Sequence, residues 1–264
     1  MSDSERPDNR PATFSLRVRL AIKRVIDLVL SLVLLVLLAP VLIVAALAIL
    51  VTDGRPILFR QTRVGRNGRE FVMMKFRTMA VDAEQKLDGI KSDNQRTGPL
   101  FKVNNDPRVT TIGRVLRRSS IDELPQLFNV LTGSMSLVGP RPALPAEVAE
   151  FADDLRRREL VPQGLTGLWQ VDGRTDPDFA KYAELDLHYV ENWTLRLDLW
   201  IMIRTPFVIL SHLIHRDAVA ASTSTAPTET QAPIGSSEKP MADRSEAPSI
   251  GEFVRGNSTF ELAE

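Results

Sequence analysis

The chain has 264 residues, enough for one domain of ordinary size with additional segments. Its formal net charge is zero, yet only 3 basic and 8 acidic residues lie from Asp217 onward, which leaves 30 basic and 25 acidic before it; that mild cationic excess suits anionic lipid or nucleotide phosphates and excludes the concentrated basic stripe of a nucleic-acid binder. Cysteine is absent, which rules out disulfides, thiolate zinc sites and a cysteine nucleophile, and His188, His212 and His215 form no ligand cluster, so any metal is expected on oxygen, magnesium before zinc.

Residues 1–14 are expected to be disordered, and residues 15–53 to form a membrane anchor. No residue from Leu28 to Thr52 is charged, a run long enough at about 1.5 Å per residue to cross a bilayer core of roughly 30 Å. Pro40 interrupts it, and each half is only about 18 Å long as a helix, so a bend at Pro40 lets the chain enter and leave through one face. Arg17, Arg19, Lys23 and Arg24 precede the run, and Arg55, Arg60, Arg63, Arg66 and Arg69 follow it, so both ends are expected in the cytoplasm. A kinked spanning helix fits the same residues. A cleaved signal peptide, suggested by Ala46-Leu47-Ala48, does not, because the apolar run exceeds the roughly 7 to 15 residues of a signal core.

Two strand-like runs, Ile57 to Val64 and Phe71 to Phe76, flank the turn pair Asn67-Gly68 and predict a hairpin carrying Arg60, Arg63, Lys75 and Arg77. From Ala80 to Asn105 the chain is polar, with a short helix expected over Val81 to Leu87 and then a loop. Next comes an acid pair, Asp122-Glu123, placed after Arg117 and Arg118 and before Leu124-Pro125-Gln126. A capping box from Ser120 to Glu123 would place Pro125 where the helix needs an N–H, a cost of about 3 kcal/mol against the 1 kcal/mol or so that a good cap returns. The helix is therefore expected to start at Asp122 or later, with both acids at its positive end, where phosphate is also welcome.

Gly139-Pro140-Arg141-Pro142 is a rigid turn that holds Arg141 outward. Trp169, in the constrained loop from Pro162, suits the core, a nucleobase stack or the membrane interface. Phe179 to Asn192 predicts an amphipathic helix packed through Tyr182, Leu185 and Tyr189, and Leu195 to Ile214 an apolar helix broken by Arg196, Asp198, Arg204 and Pro206, suited to the membrane surface with Trp193 and Trp200 or to the core. Asp217 to Glu264 is rich in Ala, Ser, Thr, Pro and Glu and is expected to be a disordered acidic tail.

Asp106 to Arg118, the block Asp122 to Gln126, Asn129 to Pro142 and Gly164 to Arg174, together with Lys23-Arg24, Asp27 and the stretch from Phe59 to Met79, resemble the bacterial sugar transferases, the monotopic polyprenyl-phosphate phosphoglycosyl transferases. The resemblance covers residues 15 to 215 or so. Members often place serine before the bend proline, where this chain has Ala39. It implies an α+β, mostly helical, membrane-associated monotopic domain with a Pro-broken re-entrant N-terminal helix and interfacial amphipathic helices, the catalytic part spanning residues 54–216. The implied reaction passes a hexose 1-phosphate from a UDP-sugar to undecaprenyl phosphate at the cytoplasmic face of the bacterial inner membrane, through an aspartyl phosphosugar at Asp122, and begins a surface polysaccharide. Asp122 and Glu123 are the catalytic pair and the expected ligands of Mg2+. Arg117, Arg118, Arg63, Lys75, Arg77 and Arg141 are the expected phosphate or substrate contacts. Membrane lipids, a homo-oligomer and other glycan-assembly enzymes are the further partners it suggests. Two rivals stand beside this reading: a non-catalytic membrane scaffold for polysaccharide synthesis and a polyprenyl diphosphate phosphatase.

Overall fold

The computed structural model describes residues 10–103, 105–173 and 177–223. Its first elements, α1 (Arg10–Leu37) and α2 (Ala39–Thr52), meet at a bend of 61°. Pro40 stands in the first turn of α2, where its missing N–H removes a bond to the turn before, and Leu38 has left helical angles at φ −92° and ψ 1°. Among the described residues no single helix is long and apolar enough to cross a membrane, and only the bent pair together meets that test of length and composition.

The two helices are turned inside out relative to a soluble core helix. Lys23, Asp27 and Ser31, spaced four apart, are the buried face of α1, while Val25, Val29, Leu32, Val36 and Leu37 are exposed. On α2 only Ala45 and Ile49 are buried, and Val51 is 83% exposed. An apolar surface of this extent needs a bilayer to cover it, and it makes the pair the anchor of a monotopic membrane-associated domain. Labels at Ser15 and Asn67 are expected to react from the cytoplasmic side alone, because positive residues flank both ends. Labelling of one position from the periplasm means a spanning helix. Pro40→Leu is expected to straighten the bend and lower activity, and a variant with normal topology and activity removes the proline as its cause.

The anchor is tied to the body by a buried polar network. Lys23 donates to Asp198 Oδ2 at 2.7 Å and to the Val138 carbonyl at 3.0 Å, and Tyr189 Oη donates to Asp198 Oδ1 at 2.7 Å. Trp193 Nε1 donates to Asp198 Oδ2 at 3.1 Å, and Asp27 Oδ1 accepts the Leu137 N–H at 3.1 Å. Arg24 donates to the carbonyls of Val130 and Leu131 in the last turn of the helix Gln126–Thr132.

The hairpin forms as expected, β1 (Leu58–Val64) pairing antiparallel with β2 (Glu70–Phe76) around a 3-10 turn in which Asn67 and Gly68 take φ of 56° and 72°. No helix forms over Val81 to Leu87. The backbone bonds there mix spans, Ala83 to Ala80, Lys86 to Asp82 and Leu87 to Glu84, and too few i→i−4 bonds accumulate to repay helix nucleation; a 3-10 segment follows at Asp88–Asp93 instead. Next come α3 (Thr111–Arg118), α4 (Gln126–Thr132), β3 (Ser136–Val138), α5 (Pro145–Ala149), β4 (Gly164–Thr166) and α6 (Leu168–Val171). Strands β3 and β4 pair in parallel so closely that a Cβ on Gly139 would lie 2.3 Å from the Pro162 carbonyl oxygen.

Helix α7 (Phe179–Glu191) buries Tyr182, Leu185 and Tyr189, and α8 (Leu195–Thr223) contributes Ile201 to the same core as Met73, Leu127, Val130, Met135 and Val138. On its outer side Leu199, Ile203, Phe207, Leu210 and Ile214 form an exposed apolar stripe beside Trp200, whose ring is covered by Arg204 at 4.7 Å. The two tryptophans thus part company, Trp193 turning in to Asp198 and Trp200 turning out. Trp169 packs against Tyr182, ring centroids 6.0 Å apart. Of the expected terminal segments, α1 reaches back to Arg10 and α8 runs on to Thr223, while residues 1–9 and 224–264 lie outside the described residues.

Candidate active site

Alternation along the hairpin puts Gln61, Arg63 and Lys75 on one face, since Phe59 pairs with Lys75, Gln61 with Met73 and Arg63 with Phe71. Facing Lys75 is a 3-10 turn, Ile121–Glu123, which precedes α4. Pro125 stands at the N-cap of α4, so the helix starts after the acid pair, and Ser120, left-handed at φ 57°, makes no side-chain cap. The acids are therefore carried on a tight turn between two helices.

Asp122 is only 8% exposed. Burial pushes its carboxyl up to about 7, the Glu123 charge adds to that, and Lys75 and Arg117 oppose it. Glu123 is partly exposed and pairs with Lys75 at 3.7 Å. Burial lowers the Lys75 ammonium, with Glu123 and Asp122 resisting and Arg63 and Arg141 adding to the fall. Beyond Lys75 sit two more guanidiniums. Arg63 donates to Gln61 Oε1 at 2.6 Å and to the Pro142 carbonyl at 3.0 Å, and burial followed by Arg141 brings it down to about 10. Glu147 lies between them, 3.8 Å from Arg63 and 3.4 Å from Arg141.

The structure thus gathers Asp122, Glu123, Lys75, Arg63, Arg141 and Arg117, the last donating Nε–H to Thr78 Oγ1 at 2.7 Å. Arg118 ends α3 and is exposed. Arg77 is held elsewhere, donating to the carbonyls of Asp53 and Gly54 at 2.6 and 3.0 Å, where it fastens the exit of the anchor to the hairpin. Neither Glu147 nor Thr78 is among the site residues that the sequence suggests. Glu147 had a local signal, since it stands third in α5 after Pro145 and accepts the Leu144 N–H at 2.7 Å, the reciprocal half of a capping box.

The donor set for a metal is two neighbouring carboxylates, and among the described residues no group of three or more Asp, Glu, His or Cys side chains converges. Asp122 and Glu123 offer oxygen donors of the type magnesium takes, one or two carboxylates with water and phosphate oxygens completing the shell.

The pH dependence of stability follows from Asp122. A carboxyl raised to about 7 stays protonated in the folded chain while the unfolded one ionises near 4, so the folded state binds more protons between those values. Stability is then expected to fall as pH rises from about 4 to 7. Thermal unfolding in metal-free buffer at pH 5 and 8 is expected to show Asp122→Asn gaining on wild type at the higher pH. Glu123→Gln is expected to move the Asp122 titration down, because the Glu123 charge is a cause of the rise. Parallel curves for wild type and Asp122→Asn would show that Asp122 is ionised throughout.

Fold and site together define a membrane-associated domain with a buried Asp122 and a partly exposed Glu123 ringed by cations. A family model described as bacterial sugar transferase matches residues 18–212. The galactosyl transferase CpsE of Streptococcus agalactiae is 47% identical over 159 residues, 60% of this chain and 35% of that protein. The undecaprenyl-phosphate galactose phosphotransferase of Salmonella typhimurium is 40% identical over 193 residues, 72% of this chain and 40% of its own length. The chain therefore spans less than half of those two relatives, but it covers 86% of the exopolysaccharide production protein ExoY of Sinorhizobium fredii, at 40% identity over 195 residues. The chain belongs to the bacterial sugar transferase family, as its motifs led one to expect.

Proposed function

We propose that the chain transfers a sugar 1-phosphate from a UDP-sugar to undecaprenyl phosphate, at the cytoplasmic face of the inner membrane, as the first step of a surface glycan. The observation that carries the proposal is the buried carboxylate of Asp122 beside Lys75 and Arg117, with Arg63 and Arg141 beyond, on a domain whose anchor brings it to the lipid surface. A nucleophile next to converging cations is the equipment that phosphoryl transfer needs.

In the first displacement an Asp122 oxygen attacks the β-phosphorus, the bond from that phosphorus to the oxygen bridging to the α-phosphorus breaks, and UMP leaves. In the second, a phosphate oxygen of the lipid attacks the same phosphorus and the acyl phosphate bond breaks. Asp122 returns as a carboxylate and the lipid-linked diphosphate sugar departs. Both halves conserve charge without a proton donor. Arg117, Lys75, Arg63 and Arg141 bind and neutralise the phosphate oxygens. Asp122 and Glu123 are the residues that would hold magnesium, which supplies charge neutralisation to the diphosphate when bound. Glu123 keeps Lys75 paired and orients it.

The test combines purified protein, undecaprenyl phosphate, Mg2+ and a panel of UDP-sugars that includes glucose and galactose, because relatives are named for each. UMP and a lipid-linked sugar phosphate are the expected products. Free phosphate from polyprenyl diphosphate would favour the phosphatase reading. A glycan-assembly phenotype that survives loss of both acids would favour the scaffold.

A further inference from the structure

The mechanism leaves unused a second, deeply buried ion pair. Arg158, in the 3-10 segment Asp153–Leu160, and Asp186, on α7, meet at 2.6 Å with side chains 3% and 2% exposed. Both reach the backbone of one residue. Arg158 Nη2 donates to the Arg141 carbonyl. Asp186 lies by the Arg141 N–H, which helps to hold its carboxyl down against the rise that burial imposes. Arg158 is itself fixed from two sides, its guanidinium lying over the Phe151 ring at 5.2 Å and its carbonyl accepting from Gln163 Nε2 at 3.1 Å.

Arg141 stands between Pro140 and Pro142, which have no N–H, so its own is the sole backbone donor of that tripeptide. The prolines fix their own φ angles and leave the rotation of the turn about Arg141 to whatever grips its peptide groups. A buried ion pair adds little net stability over apolar residues of similar size. Its distinctive contribution here is to hold the two peptide groups that flank the Arg141 Cα, one through each charge, and that residue aims a guanidinium toward Glu147 and the cluster around Lys75.

We infer that Arg158 and Asp186 are positioning residues that clamp the Arg141 backbone and so hold its guanidinium in register to bind the diphosphate of a nucleoside diphosphate. The inference rests on the proposed reading of Arg141 as a phosphate ligand. Neither clamp residue touches substrate; each acts through Arg141.

The informative variant replaces both charges at once, Arg158→Met with Asp186→Leu, because an apolar pair of similar volume keeps the packing while removing the grip. Its melting temperature is expected to stay near that of wild type. Its dissociation constant for UDP with Mg2+, read by calorimetry, and its KM for the UDP-sugar are expected to rise at least about tenfold, as misplacing a binding group does, with a smaller change in kcat. In an Arg141→Ala background the same double replacement is expected to add nothing, since the two changes remove one interaction. Should the double variant fail to fold, Arg158→Lys retains the charge beside Asp186 but is shorter and lacks the Nη2 that reaches the Arg141 carbonyl, and it is expected to show the same weakening of UDP binding. A folded variant that binds UDP as tightly as wild type overturns the inference, as do losses that simply add to those of Arg141→Ala, or a wild-type protein that binds no UDP. If wild type binds UDP with the expected dependence on the clamp yet forms no lipid product, the clamp stands and the proposed transfer falls.

Discussion

Asp122→Asn is expected to cut sugar-phosphate transfer by several orders of magnitude while the protein stays folded. The amide keeps the shape of the carboxyl but is no nucleophile toward phosphorus, so the loss falls on chemistry. Stability is expected to hold or improve at neutral pH, because the substitution removes a carboxyl whose charge is opposed by burial. A structural cap would behave in the opposite way, losing about 1 kcal/mol of stability with turnover intact, and the left-handed, uncapped Ser120 before the pair already speaks against it. Wild-type protein given UDP-sugar and Mg2+ without lipid acceptor is expected to release about one UMP per site and to carry the sugar phosphate on Asp122, as a two-step covalent route requires. A folded Asp122→Asn protein turning over at the wild-type rate, with no adduct on wild type, would sink the covalent route.

The second large effect is expected where the anchor joins the body. Asp198 accepts from Lys23, Tyr189 and Trp193, so Asp198→Ala strands a buried ammonium and two donors at once. Removing one partner of such a pair typically costs about 3 to 5 kcal/mol, whereas replacing both by apolar residues is often close to neutral. Asp198→Ala is therefore expected to unfold at much lower temperature in detergent, and Lys23→Met with Asp198→Leu to recover the part of the loss that comes from the stranded ammonium. A drop of less than about 1 kcal/mol for Asp198→Ala would mean that the pair is hydrated rather than buried.

These two sites differ in how far the chain announces them. The hairpin turn at Asn67-Gly68, the bend at Pro40 and the late start of α4 each depend on residues close in sequence, where backbone sterics decide, and all three are legible in the order of residues alone. The segment Val81 to Leu87 misleads because its local pattern suits a helix that is too short to nucleate. Lys75 and Arg77 look alike as hairpin cations two residues apart, yet one faces the acid pair and the other grips the anchor's exit, a division made by packing. Asp186 reads as one more polar residue on an amphipathic helix. Its partner Arg158 belongs to a separate segment well before that helix, so only the folding of the chain brings the two to Arg141. Long-range polar pairs carry no period, and periodicity is what a single sequence offers.

The buried stripe of Lys23, Asp27 and Ser31 bears on how this protein can be handled. A hydrophobic anchor joined to a self-sufficient body could be cut away to leave a soluble enzyme. Here the anchor is a wall of the body: cutting at Asp53 would take the ammonium from Asp198 and the carboxylate from the Leu137 N–H, and would open Val138 and Met202 to water. Solubility is better sought by replacing the outward residues, such as Val29, Leu32, Val36 and Val51, with polar ones while the inward stripe is left intact. The part of the chain that meets the lipid and the part that completes the fold are two sides of the same helix.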